Sequence, residues 1–177
     1  PMKQGFDRFY GYNCQRLGHN YYPYYLWNND QKNMLVGKEG MKKEEYAPNL
    51  IHQQAISFLE TNKDKPFFMY LGFPAPHDPR WALKEFRDLY KPEEIPLPEN
   101  YKPVHEWDIG DMTIRDESLE RWPRTEEAIK KHLHDYYSVI SSMDYDIGRL
   151  MDGVKKMGLD KNTIIVFSSD QGVAIGE

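Results

Sequence analysis

Cysteine is almost missing from this chain. Its 177 residues include one, Cys14, so no internal disulfide can form. No run of about 18 apolar residues occurs, which excludes a membrane-spanning helix. An excess of basic residues is also lacking. Lys and Arg number 23 against 28 Asp and Glu, for a net charge of −5. Nucleic-acid partners call for a basic face, so the balance argues against one. It does not exclude a small anionic substrate, because local charge decides that. There is no glycine-rich phosphate loop and no Cys/His spacing for zinc. Internal repeats, low-complexity tracts and a signal-peptide pattern are absent too. The sequence opens at Pro1, and its true N-terminus is expected upstream.

What is abundant is aromatic. Phe, Trp and Tyr make up 14% of the chain, with 13 tyrosines. Such side chains either stack on sugars or fill half-wet cores, and the second is the more common use. The length suits one domain with a core large enough to fold.

Residues 1 to 46 show no helical or strand period and are expected to be irregular. A helix is predicted from Pro48 to Asn62, with Ile51, Ala55, Phe58 and Leu59 as its apolar stripe. Phe67 to Leu71 is a short apolar run that reads as a strand buried on both faces. It leads into Gly72-Phe73-Pro74-Ala75-Pro76-His77-Asp78-Pro79, where the prolines forbid a helix. A short helix is expected from Trp81 to Tyr90, then a proline-rich charged excursion over 91–124.

The longest periodic element starts after Thr125, a suitable N-cap followed by Glu126 and Glu127. Ile129, Leu133, Tyr136, Ile140, Met143, Ile147, Leu150 and Val154 follow at alternating spacings of 4 and 3. Lys155, Lys156 and Gly158 can close it. Thr163 to Phe167 is a second apolar, β-branched run. The order helix, strand, long helix, strand predicts an α/β layer fold with parallel strands.

In such sheets, ligands bind at the carboxyl ends of the strands. Those ends carry His77 in one case and Asp170 in the other. His77, between prolines, suits fixed proton transfer or anion holding, or is a plain surface histidine. Asp170 and Gln171 offer adjacent oxygen ligands of the kind hard cations take, or else a turn cap and a solvated amide. Arg8, Arg16 and His19 either form a cationic patch for an anion or lie in an ordinary solvated loop. Cys14 has no fixed-spacing base and reads as a structural thiol. Glu106, Asp108, Asp111, Asp116 and Glu117 are too irregularly spaced for a calcium loop and read as a solvated acidic face.

Taken in order, several segments resemble the sulfatases, the formylglycine-dependent branch of the alkaline-phosphatase-like superfamily. They are Gly5-Phe6-Asp7-Arg8-Phe9-Tyr10-Gly11, Lys65 to Leu71, Pro76-His77-Asp78-Pro79, Met143-Asp144-Tyr145-Asp146-Ile147-Gly148 and Asn162 to Gly172. The resemblance implies a partial alkaline-phosphatase-like layered fold, with a largely parallel sheet flanked by helices. It implies that His77 contacts the sulfate ester and assists the leaving oxygen. It makes Asp170 a Ca²⁺ ligand and puts Gln171 where the family has Asn or His. It places Gln15, Arg16 and His19 along the substrate pocket.

The family's nucleophile motif, Cys/Ser-x-Pro-x-Arg, is not in this sequence, since Cys14 precedes Gln15-Arg16-Leu17-Gly18. Residues 1–177 are therefore expected to be part of a sulfatase catalytic domain. The formylglycine and the rest of the calcium site would lie outside it, and the segment alone would be inactive. The implied partner is a sulfated small molecule or carbohydrate, cleaved by the full-length protein in a compartment the sequence does not identify. Alternatives are a phosphoester hydrolase of the same superfamily and a non-catalytic sugar-binding remnant.

Overall fold

The computed structural model describes residues 1–37, 42–107, 120–170 and 172–176. Gln171 and the acidic residues 108, 111, 116 and 117 lie outside these residues.

The first 46 residues are not wholly irregular. They contain three short strands, β1 (Tyr10–Gly11), β2 (Tyr25–Asn28) and β3 (Gln31–Met34), a turn of α-helix, α1 (Gln15–Gly18), and 3-10 turns at Met2–Gln4 and Lys43–Glu45. The strands form an antiparallel sheet in the order β1-β2-β3. Asn28 pairs with Gln31, so Asn29 and Asp30 make the hairpin turn. Asn29 takes φ 56°, a left-handed conformation that asparagine tolerates. Its side chain accepts from the Phe9 N–H at 2.9 Å and so ties the turn to the segment before β1. The predicted lack of period has a physical basis: all four residues of β3 are exposed, so nothing forces alternation.

Helix α2 (Ala47–Asn62) starts one residue before its predicted first turn, with Pro48 inside it. Ala47, His52, Ala55 and Leu59 are its buried residues. Arg8 anchors the sheet to this helix by donating to Asn28 Oδ1 at 2.6 Å and to Gln54 Oε1 at 2.8 Å. The predicted helix over 81–90 is a single turn, α3 (Lys84–Arg87), with Leu83 before it supplying no side-chain cap.

Helix α4 (Glu126–Lys156) has the predicted extent, roughly 45 Å at 1.5 Å per residue. Thr125 Oγ1 accepts from the Ala128 N–H at 3.2 Å, as an N-cap should. Gly158 beyond its C-terminus is left-handed, with φ 72°.

Two clusters form the core, and α4 joins both. One gathers Tyr21, Tyr22, Tyr46, Leu83 and Val139, with Trp81 and Phe86 packed against it. The other gathers Ile95, Ile129, Leu133 and Ile175. Tyrosine therefore serves the core, and the rings of Tyr21 and Tyr46 stack at 5.7 Å.

Among the described residues the one sheet is antiparallel, and the predicted parallel sheet is not seen. Neither 67–71 nor 163–167 pairs with a strand among the described residues. Burial alternates along 67–71, with Phe68 and Tyr70 about three-quarters exposed. In the second run Ile164, Val166 and Phe167 are exposed as well. Apolar, β-branched composition makes a segment able to be a strand. Only a hydrogen-bonded neighbour makes it one.

Candidate functional site

His77 lies on the loop between the run 67–71 and α3. Its N–H donates to the Pro74 carbonyl at 3.0 Å, closing a tight turn. Its own carbonyl accepts from the Tyr21 hydroxyl at 3.3 Å. Burial pushes the Tyr21 phenol well above its ordinary pKa; Asp78 adds to this and Arg80 opposes it. Tyr21 therefore stays a hydroxyl and a donor. Four residues on, the Trp81 carbonyl accepts from the Tyr46 hydroxyl at 2.7 Å. The loop is thus pinned on both sides by core tyrosines, while the His77 imidazole is left largely exposed.

That imidazole has two neighbours. Its Nδ1 faces Asp78, 3.2 Å from the carboxylate Oδ1 and 3.1 Å from the carbonyl oxygen. A proton on Nδ1 shared with Asp78 leaves Nε2 pointing away from the carboxylate and open to a ligand. His19 meets the His77 ring edge to face, with centroids 4.7 Å apart. His19 sits at the C-terminus of α1, its Nδ1 donating to the Gln15 carbonyl at 2.8 Å. The one-turn helix α1 thereby aims His19 at His77.

The predicted residues divide accordingly. His19 and His77 come together, and Gln15 contributes through its backbone. The Arg16 side chain is exposed on α1. Cys14 is exposed at the start of the same turn, so it is not the structural thiol the sequence predicted. Asp170 is exposed in the segment after α4. No three His, Cys, Asp or Glu side chains converge as a metal site would require, among the described residues. Asp170 alone does not make a calcium site, which needs six to eight oxygens.

Sequence reasoning overlooked Asp78 and Tyr21. Asp78 had a signal, as the carboxylate next to a histidine in a proline-stiffened loop. Tyr21 had none, because its contact spans 56 residues.

Comparison with known proteins places this geometry in context. The Sulfatase family model matches residues 1–177. A sulfatase from Formosa agariphila is 38% identical over 134 residues, covering 71% of this chain and 26% of that protein. An ulvan-active sulfatase from the same organism is 30% identical over 177 residues, covering 98% of this chain and 29% of that protein. Human iduronate 2-sulfatase is 34% identical over 139 residues, covering 71% and 25% respectively. The chain thus spans between a quarter and a third of the length of these relatives. A solved structure of a protein in complex with its substrate D-glucosamine-2-N,6-O-disulfate matches with a TM-score of 0.63 at 21% identity. That match covers 89% of this chain and 42% of the other, and it shows an α/β fold in common. With its whole length matched by one family model, and supported by relatives of 30% identity and above, the chain belongs to the sulfatase family.

Proposed function

We propose that the full-length protein hydrolyses sulfate esters of carbohydrates and that His77 protonates the leaving alcohol. One observation carries this reading. In a chain of the sulfatase family, the His77 imidazole is oriented by Asp78 at Nδ1, flanked by His19, and open at Nε2. Relatives named for ulvan and iduronate support a carbohydrate as the alcohol part.

The proton step balances simply. As the ester S–O bond breaks, its electron pair goes to the sugar oxygen, and the imidazolium Nε2–H supplies the proton. Asp78 steadies the charged ring before transfer, and a rigid loop keeps the donor within reach. Gln15, Arg16 and His19 would line the substrate side, with the Arg16 guanidinium suited to a sulfate oxygen. Asp170, with Gln171, is proposed as part of a calcium ligand set. The described residues do not complete that set, so no step is routed through the ion. The family nucleophile, a formylglycine, has no counterpart motif in residues 1–177, and no attack step is assigned to them. The 177-residue chain alone is accordingly proposed to be inactive.

The test is expression of the full-length gene product with a formylglycine-generating enzyme, followed by assay on aryl and sugar sulfates. Turnover of sulfate esters, lost in His77→Ala, is the expected result. Turnover of the matched phosphate esters alone would move the protein to a phosphoester hydrolase. No turnover of either would support a non-catalytic remnant.

A further inference from the structure

Arg80, three residues after His77, combines three costly features. Its backbone is left-handed, with φ 53°, which non-glycine residues rarely adopt. Its side chain is buried, the residue being only 8% exposed. Among the described residues its Nε has no hydrogen-bond partner. A buried guanidinium is ordinarily matched by a carboxylate. Here Arg80 Nη1 instead donates to a histidine, His132 Nδ1 on α4, at 3.3 Å. The guanidinium also lies over the Tyr136 ring, 5.7 Å from its centroid. His132 and Tyr136 are one turn apart on the same helix face.

The other end of His132 is also held. Its Nε2 lies 3.2 Å from Glu120 Oε2. Arg can only donate, so Nδ1 must be unprotonated and the ring proton must sit on Nε2, shared with Glu120. Glu120 is kept below its ordinary carboxylate range by the Arg121 N–H, and then by His132, so it stays an acceptor. The chain Glu120–His132–Arg80 therefore runs in one direction and ends at the His77 loop. The tyrosine hydroxyls of Tyr21 and Tyr46 hold the carbonyls of residues 77 and 81 on either side of Arg80.

We propose that Arg80 and His132, oriented by Glu120, are positioning residues that lock the His77 loop onto helix α4 and so set the place of the His77 imidazole. Neither touches the reacting atoms. The inference rests on the role given above to His77, and its test separates the two. The strain and the unsatisfied Nε are tolerated because the clamp fixes a loop that the prolines alone stiffen but do not anchor.

The experiment has two arms, each with the variants Arg80→Lys, His132→Leu and His132→Asn. In the full-length gene product, steady-state kinetics are measured on an aryl sulfate. In the 177-residue chain, NMR follows the ring resonances of His77. Arg80→Lys and His132→Leu are expected to lower kcat about 10- to 100-fold, as misplacement of a catalytic group does. KM should stay within about twofold, since substrate contacts are untouched. His132→Asn keeps an acceptor near the place of Nδ1 and should recover most of the loss. The His77 resonances should move in Arg80→Lys and His132→Leu and return in His132→Asn. Unchanged kcat, a rise in KM alone, or unmoved His77 resonances would overturn the proposal. If the unaltered full-length protein shows no turnover while the His77 resonances still respond, the sulfatase reading fails and the clamp stands.

Discussion

The imidazoles of His19 and His77 meet edge to face, 4.7 Å apart and at 77°. One comes from the end of a one-turn helix and the other from a proline-bound loop. His19 Nδ1 is engaged by the Gln15 carbonyl, which restrains the ring against His77.

This relationship predicts unequal kinetic effects in the full-length protein. His77→Ala removes the proposed acid and should lower kcat about 10²- to 10⁴-fold. His19→Ala removes one aromatic contact, worth about 0.5–1.5 kcal/mol, and should cost roughly 3- to 10-fold. The two can be told apart with a series of aryl sulfates. The His77→Ala defect should grow as the leaving phenol becomes less acidic, because a poor leaving group needs its proton most. A defect independent of the leaving group would remove His77 from the acid role.

The tyrosine clamp on the other side of the loop predicts a stability effect. Tyr46 is 1% exposed, and its hydroxyl donates to the Trp81 carbonyl at 2.7 Å. Tyr46→Phe keeps the ring in the core but removes the hydroxyl that bonds to that carbonyl and to the buried Ser142. Unfolding in urea should show a loss of about 1–2 kcal/mol with an unchanged slope. A variant as stable as the natural chain would show that the hydroxyl adds nothing.

Some of this was legible from residue order and some was not. Helices α2 and α4 announced themselves because apolar residues repeat at helical spacing and their ends carry Pro48 and Thr125. Along the middle of α4, however, the buried positions are His134, Ser138, Val139, Ser142 and Asp146, while the predicted Tyr136, Ile140, Met143, Ile147 and Leu150 are half-buried. The hairpin of β2 and β3 did not, because Gln31 to Met34 lies wholly on the surface and has no apolar face to display. The runs 67–71 and 163–167 misled for the opposite reason. They have strand composition, but a strand is a relation between two segments, and no pairing partner is present among the described residues. At the site, His77 stood out through its prolines, and His19 as a member of a candidate cationic patch and through a family resemblance. Their contact could not be read, because it joins residues 58 apart in sequence and depends on where the fold holds the His77 loop, in part through the Tyr21 hydroxyl. Arg80 carried no signal in the sequence, and only the fold buries it.

A pH effect follows from His52. The residue is 5% exposed and its Nε2 has no hydrogen-bond partner among the described residues. Burial holds its pKa below the ordinary histidine value, and Arg149 adds to this. The unfolded chain therefore takes up the proton first as pH falls through about 6.5. It then binds more protons than the folded chain, so stability declines with falling pH in that window. His52→Met fills similar space without titrating. Between about pH 7 and about pH 5, the natural chain should lose more stability than the variant. Asp146, raised by burial with Arg149 opposing, is common to both and drops out of the comparison. Parallel losses in urea unfolding at the two pH values would rule His52 out as the source.

Two glycines within α4 should respond unequally to the same substitution. A Cβ on Gly148 would meet nothing within 4 Å, whereas one on Gly153 would stand 2.9 Å from Ile56 Cδ1 on α2. Both positions carry the entropic cost of glycine in a helix interior, about 0.5–1 kcal/mol relative to alanine. Gly148→Ala should recover it in full, raising the thermal midpoint by roughly 1–4 °C for a chain of this size. Gly153→Ala gains the same backbone term but must push the end of the Ile56 side chain aside, where α2 and α4 pack closely. Its net effect should be near zero or destabilising. Calorimetry of the two variants decides the matter. A larger gain at Gly153 than at Gly148 would mean that α2 and α4 do not approach each other as described, and that glycine at 153 is not there to admit Ile56.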